Sequence, residues 1–151
     1  MRQQGSAFTG VIGLISGVAI ALGSDHTGLG RWDWIQLKGQ DSSTYVITTC
    51  QCIESRSTVG TVFIQREQHL KKCGFSTCLK MNFIQDLVQF ITGILGQKNK
   101  VIAAADANEH VIDRVLLRAL KNYGLIEACV KKFDLPSPIS HITRSLPIDS
   151  V

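Results

Sequence analysis

The 151-residue chain contains few prolines, the residues that most strongly break helices and strands. It has three prolines, all after residue 135, so helices and strands can run without a break through most of the chain. Charged residues are 19% and hydrophobic residues 44% of the total, which argues against long disordered tails. A chain of this size buries roughly 68–70% of its unfolded surface. We expect one domain whose folding requires no metal or disulfide framework.

Neither a charge block nor a disulfide pattern marks the chain for a particular partner or compartment. Sixteen Lys and Arg against twelve Asp and Glu give a net charge of +4, spread over both halves. That excess suits mild attraction to a polyanion without identifying a nucleic-acid binder. The five cysteines are odd in number, and no convincing export signal accompanies them, so we expect reduced thiols. We therefore expect an intracellular protein, in the cytoplasm or nucleus.

The one long apolar stretch, residues 11–22, is too short to cross a bilayer, which requires ~20 residues. It contains Gly13 and Gly17, and no clear cleavage site follows it. We therefore expect no membrane segment and interpret the stretch as a pair of buried strands, with a secretion signal as the alternative.

Hydrophobic spacing predicts strands and helices along the rest of the chain. Residues 32–37 and 44–49 flank a polar turn and predict a β-hairpin with Trp32 and Trp34 on one face. Spacing of three and four residues predicts a helix over residues 61–72 and another over residues 82–95.

A short apolar run at residues 100–105 predicts a central strand covered on both faces. A helix over residues 111–123, ended by Gly124, is predicted to follow it. This order places Asp106 and Asn108 at the carboxyl end of a strand, where open sheets present their sites.

Asp106 and Asn108 combine an acid that can orient water with an amide that can donate to an oxyanion. Phosphoryl hydrolysis requires both groups at one place. The same residue types are also common helix caps and turn formers. The local pattern leaves both interpretations open.

An ordered set of motifs extends over about residues 23–151. In chain order the motifs are Gly30-Arg31-Trp32-Asp33-Trp34, Thr48-Thr49-Cys50-Gln51, the helix from Phe83, Asp106-Ala107-Asn108 and Pro147-Ile148-Asp149. The set resembles the endonuclease/exonuclease/phosphatase superfamily, in particular the endonuclease-like domains of retroelements and reverse-transcriptase-containing genes. The resemblance implies a layered α/β (α+β) fold, here a partial two-sheet sandwich flanked by helices.

The resemblance also implies cleavage of phosphodiester bonds in DNA with Mg²⁺ or Mn²⁺. Asp106 would position or activate the attacking water, Asn108 would hold the phosphate or the metal-bound solvent, and Asp149 would support the site from nearby. Cys50 stands where the family usually has a tyrosine that reaches the phosphate.

Other positions depart from the family pattern. No Glu precedes Glu54, so the family's metal-binding Glu has no counterpart, and the terminal Ser-Asp-His motif is missing as well. Ser24-Asp25-His26 has the same letters in the wrong chain order and is interpreted as a turn. We therefore expect a single incomplete domain, residues 1–151, truncated at both ends, with weak metal binding and no catalysis by the chain alone.

The alternative is a non-catalytic binding or assembly fragment, in which the same residues are turns and caps. An incomplete sandwich has exposed sheet edges, which favour self-association. The cysteine pairs at 50 and 52 and at 73 and 78 suggest zinc with His69 or His110, but their spacing departs from paired zinc knuckles. Reduced structural cysteines are the favoured interpretation.

Overall fold

The computed structural model describes residues 17–52, 62–74, 78–106 and 115–133. In chain order these residues form β1 (Ala19–Ser24), β2 (Trp32–Leu37), β3 (Thr44–Cys50), α1 (Val62–Lys72), α2 (Leu79–Gly96), β4 (Lys100–Asp106), α3 (Val115–Lys121) and α4 (Ala128–Phe133).

The four strands form one mixed sheet in the order β1-β2-β3-β4. The first three are antiparallel neighbours, whereas β4 is parallel to β3, with Ile47 opposite Ala103. Both α1 and α2 lie in the connection between β3 and β4, as a parallel pair requires a long crossover. The expected α/β layered fold is confirmed. The described residues form a single sheet, so the second sheet of a sandwich is not shown.

The predicted hairpin is confirmed, since β2 and β3 pair antiparallel from Trp32 opposite Thr49 to Leu37 opposite Thr44. Trp32 and Trp34 lie on one face, and both rings contact Phe90 of α2 at centroid distances of 6.0 and 6.1 Å. The two indoles are therefore core residues that join the hairpin to the helix layer.

The core lies between one face of the sheet and α2. This helix begins at Leu79, earlier than the spacing predicts, and presents apolar residues at three- and four-residue steps. The buried members of the core are Trp32, Ile47, Phe83, Ile84, Leu87, Ile91, Ile94, Leu116 and Leu120. The last two come from α3, which ends before Gly124 in the left-handed conformation (φ 84°), as predicted. Residues 111–114 of the predicted helix lie outside the described residues.

Two predictions about strand position are wrong. Residues 100–105 do form a strand, but β4 is an edge of the sheet built by the described residues, and Ile102 on its open face is 59% exposed. Its run of alanines explains the error, because small side chains are tolerated on both faces. Of residues 11–22, residues 11–16 lie outside the described residues, and the rest contributes to the edge strand β1, where Leu22 is 79% exposed in contrast to the predicted burial.

No helix within the described ranges is long and apolar enough to cross a membrane.

Replacing a core residue of α2 should test this packing. We expect Leu87→Ala to lower the free energy of unfolding by about 2–5 kcal/mol, because Leu87 is fully buried and a cavity would remain. Met81→Ala on the same helix is the control, because this side chain is 44% exposed. It should change the free energy of unfolding by less than about 1 kcal/mol. Urea unfolding followed by circular dichroism measures both values. Equal losses would contradict the packing described.

Candidate functional site

Asp106 is the last residue of β4, and its side chain is exposed at the carboxyl end of the strand. The parallel register places it opposite Cys50, the last residue of β3. The Cys50 Sγ lies 3.5 Å from Asp106 Oδ2, and the Gln51 amide donates to the Asp106 carbonyl at 2.9 Å. The structure therefore brings together two of the four predicted site residues. Asn108 and Asp149 lie outside the described residues.

The thiol of Cys50 is neutral at physiological pH. Burial and the neighbouring Asp106 carboxylate raise the pKa of Cys50 to about 11. A neutral thiol can donate a weak hydrogen bond to the carboxylate. In this structure Cys50 thus contacts the acid itself, whereas the tyrosine of the resembled family reaches the phosphate.

Asp106 supplies one carboxylate at the end of β4, which is a modest ligand set. No group of three or more His, Cys, Asp or Glu side chains that could hold one ion occurs within the described part of the chain. Mg²⁺ is usually held by one or two carboxylates together with several waters. One carboxylate is fewer ligands than a dedicated metal site has, so weak binding of a divalent ion at Asp106 stays a prediction.

A buried ionic network centred on Arg31 lies beneath the candidate site. Arg31 is 2% exposed, and its Nε donates to Asp25 Oδ2 at 2.6 Å. Its terminal nitrogens donate to Asp86 Oδ2 at 2.8 Å and to Asn82 Oδ1 at 3.1 Å. The guanidinium carbon also lies 4.7 Å from the centroid of the Trp32 ring. The network joins the turn after β1, the start of β2 and helix α2.

Asp25 completes this network from the turn. The Thr27 amide and hydroxyl both donate to Asp25 Oδ1, at 3.0 and 2.8 Å, so the predicted turn is confirmed. Burial opposes ionisation of Asp25, but the hydrogen bonds from Arg31 and Thr27 outweigh it and lower the pKa of this carboxyl.

The backbone of Arg31 connects the network to the candidate site. Its carbonyl accepts hydrogen bonds from the Thr49 hydroxyl and from the Cys50 amide, each at 3.0 Å. The end of β3 is therefore held by the same residue that anchors α2. Through the register of β3 and β4, this attachment also restrains the position of Asp106.

Sequence reasoning missed this network. The available signal was an acid and a base, Asp25 and Arg31, on either side of a glycine-containing turn. A similar signal lies in α1, where Arg66 occupies an apolar face and its Nη2 donates to the Leu29 carbonyl at 3.0 Å. A charged residue in an apolar pattern indicates a buried partner, but the pattern does not identify that partner.

A separate apolar cavity of about 360 Å³ lies between β4, α3 and the loop that precedes α4. Val101, Ala103, Leu116, Leu120 and Ile126 are among its lining residues. Asp106 does not line this cavity. The apolar cavity and the carboxylate at the end of β4 are therefore separate features.

Comparison with known proteins identifies no relative: no family of known proteins, no curated protein and no solved structure matches the chain. The resemblance drawn from the motifs therefore stays a prediction.

Removing the charge of Asp25 should destabilise the fold in a pH-dependent way. We expect Asp25→Asn to cost about 3 kcal/mol at pH 6, the lower end of the range for breaking a buried pair, because Asp86 and Asn82 still contact Arg31. Since the pKa of Asp25 is lowered in the folded state, its contribution is present above about pH 4 and disappears as the pH falls further.

Thermal unfolding between pH 2 and pH 7 measures this difference, and the gap in Tm between the two proteins should narrow at acidic pH. Lys71→Gln is the control, because it removes the Glu67–Lys71 pair (3.5 Å) at a side chain that is 70% exposed and should cost less than about 1 kcal/mol. A gap that stays constant down to pH 2 would contradict the role of Asp25.

Proposed function

We propose that the chain is a degenerate endonuclease-like domain, derived from a metal-dependent phosphodiesterase that acts on DNA and retaining little or no activity alone. The observation that carries the proposal is the exposed Asp106 carboxylate at the carboxyl end of β4, in a layered α/β fold. The ordered motifs of the superfamily that this chain resembles supply the reaction class.

The chemistry around Asp106 suits a hard divalent metal ion, with the carboxylate as its ligand. The neighbouring Cys50 is a neutral thiol, so it adds no charge beside the carboxylate, and the Arg66 guanidinium contributes positive charge near Cys50. Mg²⁺ prefers oxygen ligands, so Asp106 would hold it or Mn²⁺ and Cys50 would not. When bound, such an ion neutralises charge that develops on a phosphate during phosphoryl transfer.

The chain itself holds the Asp106 carboxylate in position. The carbonyl of Asp106 accepts from the Gln51 amide, and the Cys50 amide donates to the Arg31 carbonyl, so both strand ends are held by backbone hydrogen bonds. A carboxylate held in this way can orient a water molecule toward a phosphate. By resemblance, Asn108 would contact the phosphate and Asp149 would support Asp106. The net charge of +4 favours approach of DNA.

Mn²⁺ binding tests the proposal without requiring activity. We expect Mn²⁺ to broaden the amide NMR signals of residues at the ends of β3 and β4, because the ion would lie beside the Asp106 carboxylate. Asp106→Asn should remove the broadening. Asp41→Asn, which makes the same charge change in the exposed hairpin turn, should leave it intact.

Nicking of supercoiled plasmid DNA by the same proteins is the second readout. Slow nicking with Mn²⁺ that Asp106→Asn abolishes and Asp41→Asn retains would support a residual phosphodiesterase. Broadening that is identical in all three proteins would refute the proposed ion site.

An assembly function is the second candidate, and a specific feature of the sheet favours it. The face of the sheet opposite the helices carries one aliphatic residue from each strand in register: Leu22, Ile35, Val46 and Ile102. We call these four residues the aliphatic row. Its two ends, on the edge strands, are strongly exposed. Contiguous exposed apolar surface and unpaired sheet edges both favour association.

A charge placed in the aliphatic row should weaken self-association if this second candidate is correct. We expect wild-type protein to form dimers or larger species with rising concentration and Leu22→Lys to shift toward monomer, because a desolvated ammonium opposes apolar contact. Gln40→Lys adds the same charge in the exposed hairpin turn and serves as the control. Sedimentation velocity measures all three. A wild-type protein that stays monomeric at high concentration would exclude this candidate.

A further inference from the structure

The carboxyl end of α1 carries an imidazole and a thiol in direct contact, far along the chain from Asp106. His69 and Cys73 are both exposed, and Cys73 Sγ lies 3.6 Å from His69 Nε2. These side chains contribute nothing to the core and play no part in the proposed phosphodiesterase site. An exposed pair of this kind is available to a ligand from solution.

The local backbone explains why the two side chains meet. The Cys73 amide donates to the His69 carbonyl at 3.0 Å, so the helical hydrogen-bond pattern continues through Cys73. Residues four apart lie on one face of a helix, one turn above each other. The helix ends at Lys72, and Gly74, whose φ is 79°, terminates the turn that contains Cys73. Backbone geometry thus places the pair without a tertiary contact.

The separation of the two atoms matches that of two ligands on one tetrahedral zinc ion. Zn–S bonds of about 2.3 Å and Zn–N bonds of about 2.0–2.1 Å at a tetrahedral angle place sulfur and nitrogen about 3.5–3.6 Å apart. The structure has 3.6 Å between Cys73 Sγ and His69 Nε2. The pair therefore requires little rearrangement to bind such an ion.

We propose that His69 and Cys73 form a binding site for a borderline-soft divalent transition metal ion of the zinc class. Imidazole and thiolate are the ligands such ions prefer, whereas Mg²⁺ prefers oxygen. Binding forms a metal–sulfur and a metal–nitrogen bond, releases two waters from the ion, and transfers the thiol proton of Cys73 to solvent. The ion's remaining positions are filled by water, or by the same pair from a second chain, which would complete a Cys₂His₂ set.

Lys71 and Lys72 lie between the two ligands in the sequence, and Lys71 pairs with Glu67 at 3.5 Å. Both residues of that pair lie on α1, so the carboxylate of Glu67 offsets part of the positive charge near the site. Cys50, in contrast, belongs to the end of the sheet, where its contact is Asp106. The two metal proposals therefore concern different residues and different classes of ion.

Titration of the full reduced chain with Co²⁺, a spectroscopic substitute for Zn²⁺, tests the site. We expect a sulfur-to-cobalt charge-transfer absorption band that saturates and is then displaced by Zn²⁺. Cys73→Ser should abolish the band. His69→Ala keeps all five cysteines and should weaken binding at least about tenfold, since even outer-shell partners of metal ligands contribute 10–100-fold.

A spacing control separates this pair from a general effect of histidine and cysteine content. The double substitution Gln68→His with His69→Ala keeps the number of imidazoles but turns one to a different face of α1. We expect it to bind as weakly as His69→Ala. Circular dichroism should show all variants folded, because each changed side chain is exposed.

Alkylation supplies a readout that is independent of absorption. Saturating Zn²⁺ should slow the reaction of Cys73 with iodoacetamide, followed by peptide mass spectrometry, and His69→Ala should remove that protection. Cys78, also exposed, is the matched thiol and should react at the same rate with and without Zn²⁺ in the wild-type protein.

Stoichiometry of one or two chains per ion agrees with the proposal, because both arrangements require the pair. Equal Co²⁺ affinity in the wild-type protein and His69→Ala would overturn it. A band that survives Cys73→Ser but is lost in Cys78→Ser would overturn it as well. Neither outcome depends on nicking or on Mn²⁺ binding, so this site and the proposed function can fail separately.

Discussion

The described structure depends on one buried arginine. Arg31 contacts Asp25 in the turn after β1, Asp86 and Asn82 on α2, and the ring of Trp32 beside it. Removing charges from water is costly, and only several well-aligned hydrogen bonds can offset that cost. Three elements must therefore hold their relative positions for Arg31 to stay satisfied. The apolar core supplies most of the burial, whereas this network restricts how the sheet and α2 can be arranged.

The same residue links the core to the candidate site through its main chain. Its carbonyl accepts from Thr49 and Cys50, which sets the end of β3, and the parallel register then places Asp106 beside Cys50. The resulting chemistry is divided between two parts of the molecule. A carboxylate at the end of the sheet suits hard ions and phosphate chemistry, while the imidazole and thiol at the end of α1 suit softer ions.

Several elements could be predicted from local patterns because the physical cause is local. The three- and four-residue spacing of α2 and the alternation of Trp32 and Trp34 were sufficient to predict a helix, a hairpin and a shared apolar face. The place of β4 in the sheet could not be predicted in this way. Alanine-rich strands have the same composition at an edge and in the centre, so neighbours in space decide which face is covered.

By itself, the sequence determined that these helices and strands form, which faces of α2 and the hairpin are apolar, and that Asp106 lies at the end of a strand, since each depends on residues close in the chain. Even the contact of His69 with Cys73 depends only on helical spacing. Tertiary structure alone decided that Cys50 meets Asp106, that Arg31 contacts two acids, and that the two ends of the aliphatic row are exposed. Those contacts join residues up to 56 positions apart, and the packing of whole elements brings them together.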